Sequence, residues 1–76
     1  MERYTMSSVE GKENHLLFVD NLYGVKVEFE KYRFNESHVI VDSGKLTPEN
    51  AARVMRELGD NLVKNYAKYC FPEEEN

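Results

Sequence analysis

Few side chains in this chain are of a kind that does chemistry, and their spacing decides how each is read. His38 alternates with Val39 and Val41 along an extended run, so it shares a face with Ile40 and Asp42. A base at His38 oriented by Asp42 is one reading. General-base work also needs a nucleophile or substrate pocket within hydrogen-bond reach, and no motif supplies one, so His38 reads as a strand-surface histidine. His15 opens another strand and reads the same way. Cys70 falls at the C-terminal end of a helical pattern, where the dipole opposes a thiolate; it reads as a packed or interface cysteine. Ser43-Gly44-Lys45 lacks the upstream glycine of a phosphate loop and has Leu46 where Ser or Thr belongs, so it reads as a turn. His15, His38 and Cys70 stand far apart with no metal-ligand spacing. The residues therefore predict no catalytic site, no metal and no cofactor, and the chain is expected not to be an enzyme.

The acids are the remaining chemical resource. The net charge is −4, made of −2 over residues 1–46, +1 over 47–71 and −3 over the tail 72–76. In Val25-Lys26-Val27-Glu28-Phe29-Glu30 the alternation is strict. Val25, Val27 and Phe29 face a core, and Glu28 and Glu30 project together on the other side, about 6.7 Å apart. That is near two phosphate steps of a DNA strand, at about 3.4 Å each. A row of carboxylates at this spacing, with Glu36 and Asp42 beyond it and Glu73, Glu74 and Glu75 as auxiliaries, would meet the Lys and Arg side chains of a basic partner. Lys26 weakens the row. The opposing reading is a surface charge that only keeps a small protein in solution.

A basic helix face, Arg53, Arg56, Lys64 and Lys68, carries the alternative reading, a nucleic-acid binder with Tyr66 and Tyr69 nearby for stacking. The i,i+4 pairs Glu49–Arg53, Arg53–Glu57, Arg56–Asp60 and Asp60–Lys64 instead describe a salt-bridged solvent face.

These residues need a scaffold. Seventy-six residues make a single domain, 1–76. Residues 3–10 form either a first strand, with Tyr4 and Met6 on one face, or part of a flexible arm over 1–14, with Gly11–Asn14 as a turn. His15–Asp20 suits a buried strand. Gly24 opens the alternating strand 25–30. After Glu30 the apolar parity flips, which means either a β-bulge or Tyr32 and Phe34 exposed as an apolar pair. Asn35-Glu36 reads as a two-residue hairpin loop and Ser37–Asp42 as the next strand.

Thr47 then caps a helix with Pro48 at its first position and Glu49 in its first turn. Its stripe is Ala51, Met55, Leu58, Leu62, Tyr66 and Tyr69, spaced 4, 3, 4, 4 and 3, widened by Ala52, Val54, Val63 and Cys70. Gly59 in mid-helix predicts close packing against it. Pro72 stops the helix, and the acidic tail follows. The expected fold is α+β: a small two-layer domain with an antiparallel sheet of three or four strands packed on one long C-terminal helix.

A chain this short buries a modest share of its surface. With one cysteine it forms no internal disulfide, so a homodimer is the expected source of added stability. Strand pairing or Tyr32, Phe34, Tyr66 and Tyr69 would form the interface. No apolar run reaches the ~18 residues of a membrane span, and the start lacks a signal-peptide pattern. A cytoplasmic location without membrane association is expected.

The size, acidity, lone cysteine and missing catalytic motif, with Glu28, Glu30, Glu36 and Asp42 on the strands and Glu73 to Glu75 in the tail, resemble the small early proteins that bacteriophages use against their hosts. Some of those are acidic dimers that mimic DNA and block host DNA-binding proteins, including the nucleoid protein HU. The resemblance implies a DNA-mimic inhibitor of a basic, nucleic-acid-binding host protein, active in the host cytoplasm, with no direct contact to nucleic acid. Ten basic residues set this chain apart from the most acidic mimics.

Overall fold

A computed structural model describes residues 2–41 and 44–71. Four strands precede one helix: β1 (Tyr4–Ser8), β2 (His15–Asp20), β3 (Val25–Glu30), β4 (Arg33–Val41) and α1 (Pro48–Cys70). The strands form one antiparallel meander in the order β1-β2-β3-β4. The fold is α+β, as the patterning predicts, and residues 3–10 contribute a strand rather than an arm.

Turn chemistry sets the register. Asp20 ends β2, and its side chain accepts the Leu22 N–H at 3.0 Å while its carbonyl accepts the Gly24 N–H at 2.9 Å. Gly24 takes φ 67°, a left-handed conformation that glycine adopts without steric cost. It therefore closes the turn instead of opening β3. Pairing then runs from Asp20↔Val25 to His15↔Glu30.

The hairpin between β3 and β4 turns at Lys31-Tyr32, not at Asn35-Glu36. Tyr32 sits at φ 68°, which costs a non-glycine residue energy that its surroundings must offset. They do so through the Tyr32 N–H, which donates to the Tyr69 carbonyl at 2.8 Å, and the Lys31 N–H, which donates to Asn14 at 2.7 Å. Asn35 and Glu36 lie within β4. The parity flip is absorbed there: register passes from Glu30↔Arg33 to Glu28↔His38, so two steps on β3 span five on β4. Phe34 thereby reaches the helix side and packs edge-on against Phe29, ring centroids 5.3 Å apart. Past the bulge, Val39 and Val41 return to that side opposite Val27 and Val25. Asp42 lies outside the described residues.

Thr47 caps α1 through its backbone, its N–H donating to Asn50 Oδ1 at 2.7 Å and its carbonyl accepting the Asn50 N–H at 3.1 Å. Leu58 and Leu62 of the predicted stripe are buried, with Val54 and Cys70 from its flanks, against Phe18, Val25, Val27 and Phe29 of the sheet. Tyr66 breaks helical geometry (φ −132°, ψ 17°). Its ring packs edge-on to Phe18 at 5.5 Å, and Phe18 stacks on Tyr4 at 5.5 Å. The expected close packing at Gly59 is absent: a Cβ there would meet nothing within 4 Å. Val63 and Ala52, beside Gly59 on that flank, are exposed.

The helix crosses the sheet obliquely. Near its start Glu57 meets Arg3 beside β1, and Arg53 reaches Tyr23 in the β2–β3 turn. Near its end Tyr69 holds the β3–β4 turn, and Phe71 packs on Phe34 at 6.3 Å. The far end of β4 consequently lies beyond the helix. Val39 and Val41 stay 48% and 45% exposed although they share a face with the core.

Candidate functional site

The face of the sheet turned away from α1 follows from register alone. Directly paired residues share a face, so Leu17, Glu28 and His38 form one row and His15 and Glu30 the next. Val19, Lys26 and Ile40 form a third. The β4 bulge brings Glu36 to the same place. Lys12, His15, Glu28, Glu30, Glu36 and His38 line a shallow concavity of about 250 Å³. Three of the predicted partner-binding carboxylates thus come together, Glu28, Glu30 and Glu36. The others, Asp42, Glu73, Glu74 and Glu75, lie outside the described residues, as does the Pro72 helix stop.

Cations border each carboxylate of the concavity. Lys12 Nζ is 3.2 Å from Glu28 Oε1. Arg33 lies 4.0 Å from both Glu30 and Glu36, at the limit of an ion pair. Lys12 and Arg33 are both largely exposed, and such pairs contribute about 0–1 kcal/mol each. With neutral imidazoles, these three acids and two cations leave one negative charge. The Nδ1 atom of His15 is buried without a hydrogen-bond partner. Among the described residues, no group of three or more His, Cys, Asp or Glu side chains is placed to hold a metal ion.

Sequence reasoning missed Lys12 and His15 as members of this cluster. The signal for His15 was available in the length of the β2–β3 turn: a four-residue turn after Asp20 sets His15 opposite Glu30.

The residues named for self-association divide. Tyr32 is exposed on the β3–β4 turn. Phe34, Tyr66 and Tyr69 are half-buried against the core, so much of their apolar surface is already used by the fold. Cys70 is buried, and burial pushes its thiol up from the ordinary range. The basic helix residues Arg53, Arg56, Lys64 and Lys68 are exposed. Arg53 is engaged by Glu57 at 3.1 Å and by the Tyr23 hydroxyl at 3.2 Å.

A second charged cluster joins three elements at the opposite end of the sheet. Asp20 is fully buried and accepts two hydrogen bonds from Arg3, Nε at 3.3 Å and an NH₂ group at 3.2 Å. Arg3 also donates to Glu57 at 3.1 Å, and its guanidinium lies 4.8 Å and 5.3 Å from the ring centres of Tyr4 and Tyr23. Asp20 holds the Arg3 guanidinium well above its ordinary range. Arg3, then Arg53, hold the Glu57 carboxyl below the usual carboxylate range. This cluster ties the start of β1, the end of β2 and α1 together.

Among the described residues no helix is long and apolar enough to cross a membrane. No family model, no curated protein and no solved structure matches this chain.

Proposed function

We propose that this chain is a non-enzymatic interaction protein that binds a basic partner protein through the outer face of its sheet. The observation that carries the reading is the convergence of Glu28, Glu30 and Glu36 on one concavity bordered by exposed cations. Binding proceeds by exchange of counter-charges. Lysine and arginine side chains of the partner replace Lys12 and Arg33, whose surface pairs are weak, and the partner's grip on nucleic-acid phosphates is lost meanwhile. The internal cations temper the affinity, so the encounter depends strongly on ionic strength. In this reading the chain acts in the cytoplasm, that of the host if the chain is viral, as a competitor of DNA for a nucleoid-type protein such as HU.

The test uses HU as the basic probe. Binding to the immobilised chain is measured at 50 and 300 mM salt for the wild type and for E28Q/E30Q/E36Q. The reading expects a loss of at least tenfold in affinity for the triple variant at low salt, and a similar loss for the wild type at high salt. Undiminished binding by the triple variant would overturn it. So would direct retardation of DNA by the chain, which would move the function to Arg53, Arg56, Lys64 and Lys68.

A further inference from the structure

Histidine is the side chain whose charge ordinarily changes between pH 5 and 8. This chain has two, far apart in sequence, and the fold sets both in the one concavity. His15 on β2 is paired directly with Glu30, and His38 on β4 directly with Glu28. Direct cross-strand neighbours carry their Cβ atoms about 4.5–5.5 Å apart, so each imidazole stands within reach of one carboxylate of the surface. The other charged groups facing them are few. Lys12 comes from the β1–β2 turn, Arg33 and Glu36 from β4, and Lys26 stands one row along β3, opposite Ile40. Glu10 and Glu13 of the β1–β2 turn are exposed and do not line the concavity. On β1 the same face carries the neutral Thr5 and Ser7, opposite Val19 and Leu17, and α1 packs on the other side of the sheet.

We infer that His15 and His38 make the concavity a proton-operated surface, which attracts a cationic partner at pH 7.5 and releases it at pH 5.5. The inference rests on the proposed reading of this surface as the partner site. At about pH 5.5 an ordinary histidine is charged and an ordinary carboxylate is still ionised. With neutral imidazoles, Glu28, Glu30 and Glu36 against Lys12 and Arg33 leave −1; two imidazolium charges turn −1 into +1. Position adds to the count. The Nδ1 atom of His15 is buried without a hydrogen-bond partner, which a neutral ring tolerates as a bare lone pair. The charged ring carries a proton on both nitrogens, and Glu30 is the acceptor paired across from it. Glu30 has only Arg33 to leave, 4.0 Å away. His38 draws on Glu28 in the same way, against an exposed Lys12 pair that is itself weak. Acid therefore occupies two of the three carboxylates that a lysine or arginine of the partner would otherwise take.

Small charged nitroxides read the sign of the surface without any partner. In ¹⁵N-labelled chain at pH 7.5 and 50 mM salt, a cationic nitroxide should relax the amides of residues 12, 15, 28, 30, 36 and 38 about twofold faster than an anionic one. At pH 5.5 the order should reverse. In H15Q/H38Q it should stay as it is at pH 7.5, and H38Q alone, at an exposed position, should lose the preference at pH 5.5 without reversing it. An unchanged order in the wild type would overturn the inference, as would a reversal that survives in H15Q/H38Q. The wild-type comparison keeps the test decisive if the double variant fails to fold. HU binding in the same buffers supplies the second arm. Affinity should fall about tenfold or more from pH 7.5 to pH 5.5 for the wild type, and that ratio should return to near one in H15Q/H38Q, whatever the variant's absolute affinity. HU held equally by the wild type at both pH values would overturn the inference and leave the partner site standing. HU unbound already at pH 7.5 would instead remove the partner reading, and the nitroxide order would still decide the switch.

Discussion

Replacing Arg3 by alanine should be among the most damaging single changes outside the apolar core. Asp20 is fully buried, and two of its three described hydrogen bonds come from Arg3. R3A leaves that carboxylate with the Leu22 N–H alone. Breaking a buried pair by removing one partner costs about 3–5 kcal/mol. The Arg3 side chain is 33% exposed, so water softens the penalty, and about 2–3 kcal/mol is the fitting range. Lost contacts with the Tyr4 and Tyr23 rings add about 0.5 kcal/mol each. A chain of this length has about 4–11 kcal/mol in all, so the variant should sit near the edge of folding. Urea unfolding followed by circular dichroism reads this directly: with a slope near 1 kcal/mol per molar, the midpoint should fall by about 2 M or more. R3A/D20N, which removes the orphaned charge and keeps an acceptor for Leu22, should be more stable than R3A. A midpoint for R3A within about 0.5 M of wild type, or a double variant weaker than the single one, would refute the reasoning.

Other consequences are open to measurement. Gly59→Ala meets nothing within 4 Å and removes a mid-helix glycine, so it should stabilise the fold by about 0.5–1 kcal/mol; a lower urea midpoint would contradict this. The Glu57 carboxyl is held below its ordinary range by Arg3 and Arg53, so its favourable linkage is present above the unfolded carboxylate pKa and is lost as pH falls through the lower folded value. E57Q should therefore be less stable than wild type at pH 6, and the gap should narrow below about pH 4; a constant gap would exclude the linkage. Cys70 is buried with its thiol pushed up, so a thiol reagent at pH 7.5 should label the native chain orders of magnitude more slowly than the unfolded one. Rapid native labelling would place that sulfur at the surface.

The sequence carried the fold wherever one pattern ruled a segment. The strict alternation of Val25–Glu30 and the Thr47–Pro48 start with the stripe through Leu58 and Leu62 both appear in the structure, since period and capping are local properties. The β3–β4 hairpin was not legible, because its turn depends on tertiary support. Tyr32 takes a left-handed φ that no local preference predicts, held by Tyr69 from the helix and by Asn14 from another turn. Asn35 and Glu36 have the chemistry of a turn and sit in a bulge. The Arg3–Asp20–Glu57 cluster was equally hidden: its members are 17 and 54 positions apart, with no short-range signature. Gly59 pointed to a close neighbour, and the space beside it is open.

Of the candidate site, Glu28 and Glu30 were legible from alternation. Glu36 was named with them from the sequence; the addition of Lys12 and His15 to the group comes from the structure. The structure also reveals Lys12 and Arg33 beside the carboxylates, which sets this surface apart from a bare row of phosphate-like charges.

Backbone ¹⁵N spectra of the labelled chain, titrated with unlabelled HU at low salt, put the proposed working surface to the most direct trial. The largest amide shifts should fall on Lys12, His15, Glu28, Glu30, Glu36 and His38, and they should collapse when salt is raised. Shifts confined to the solvent side of the helix, around Arg53, Arg56, Lys64 and Lys68, or no saturable shifts at all, would contradict the assignment of that surface to a basic partner.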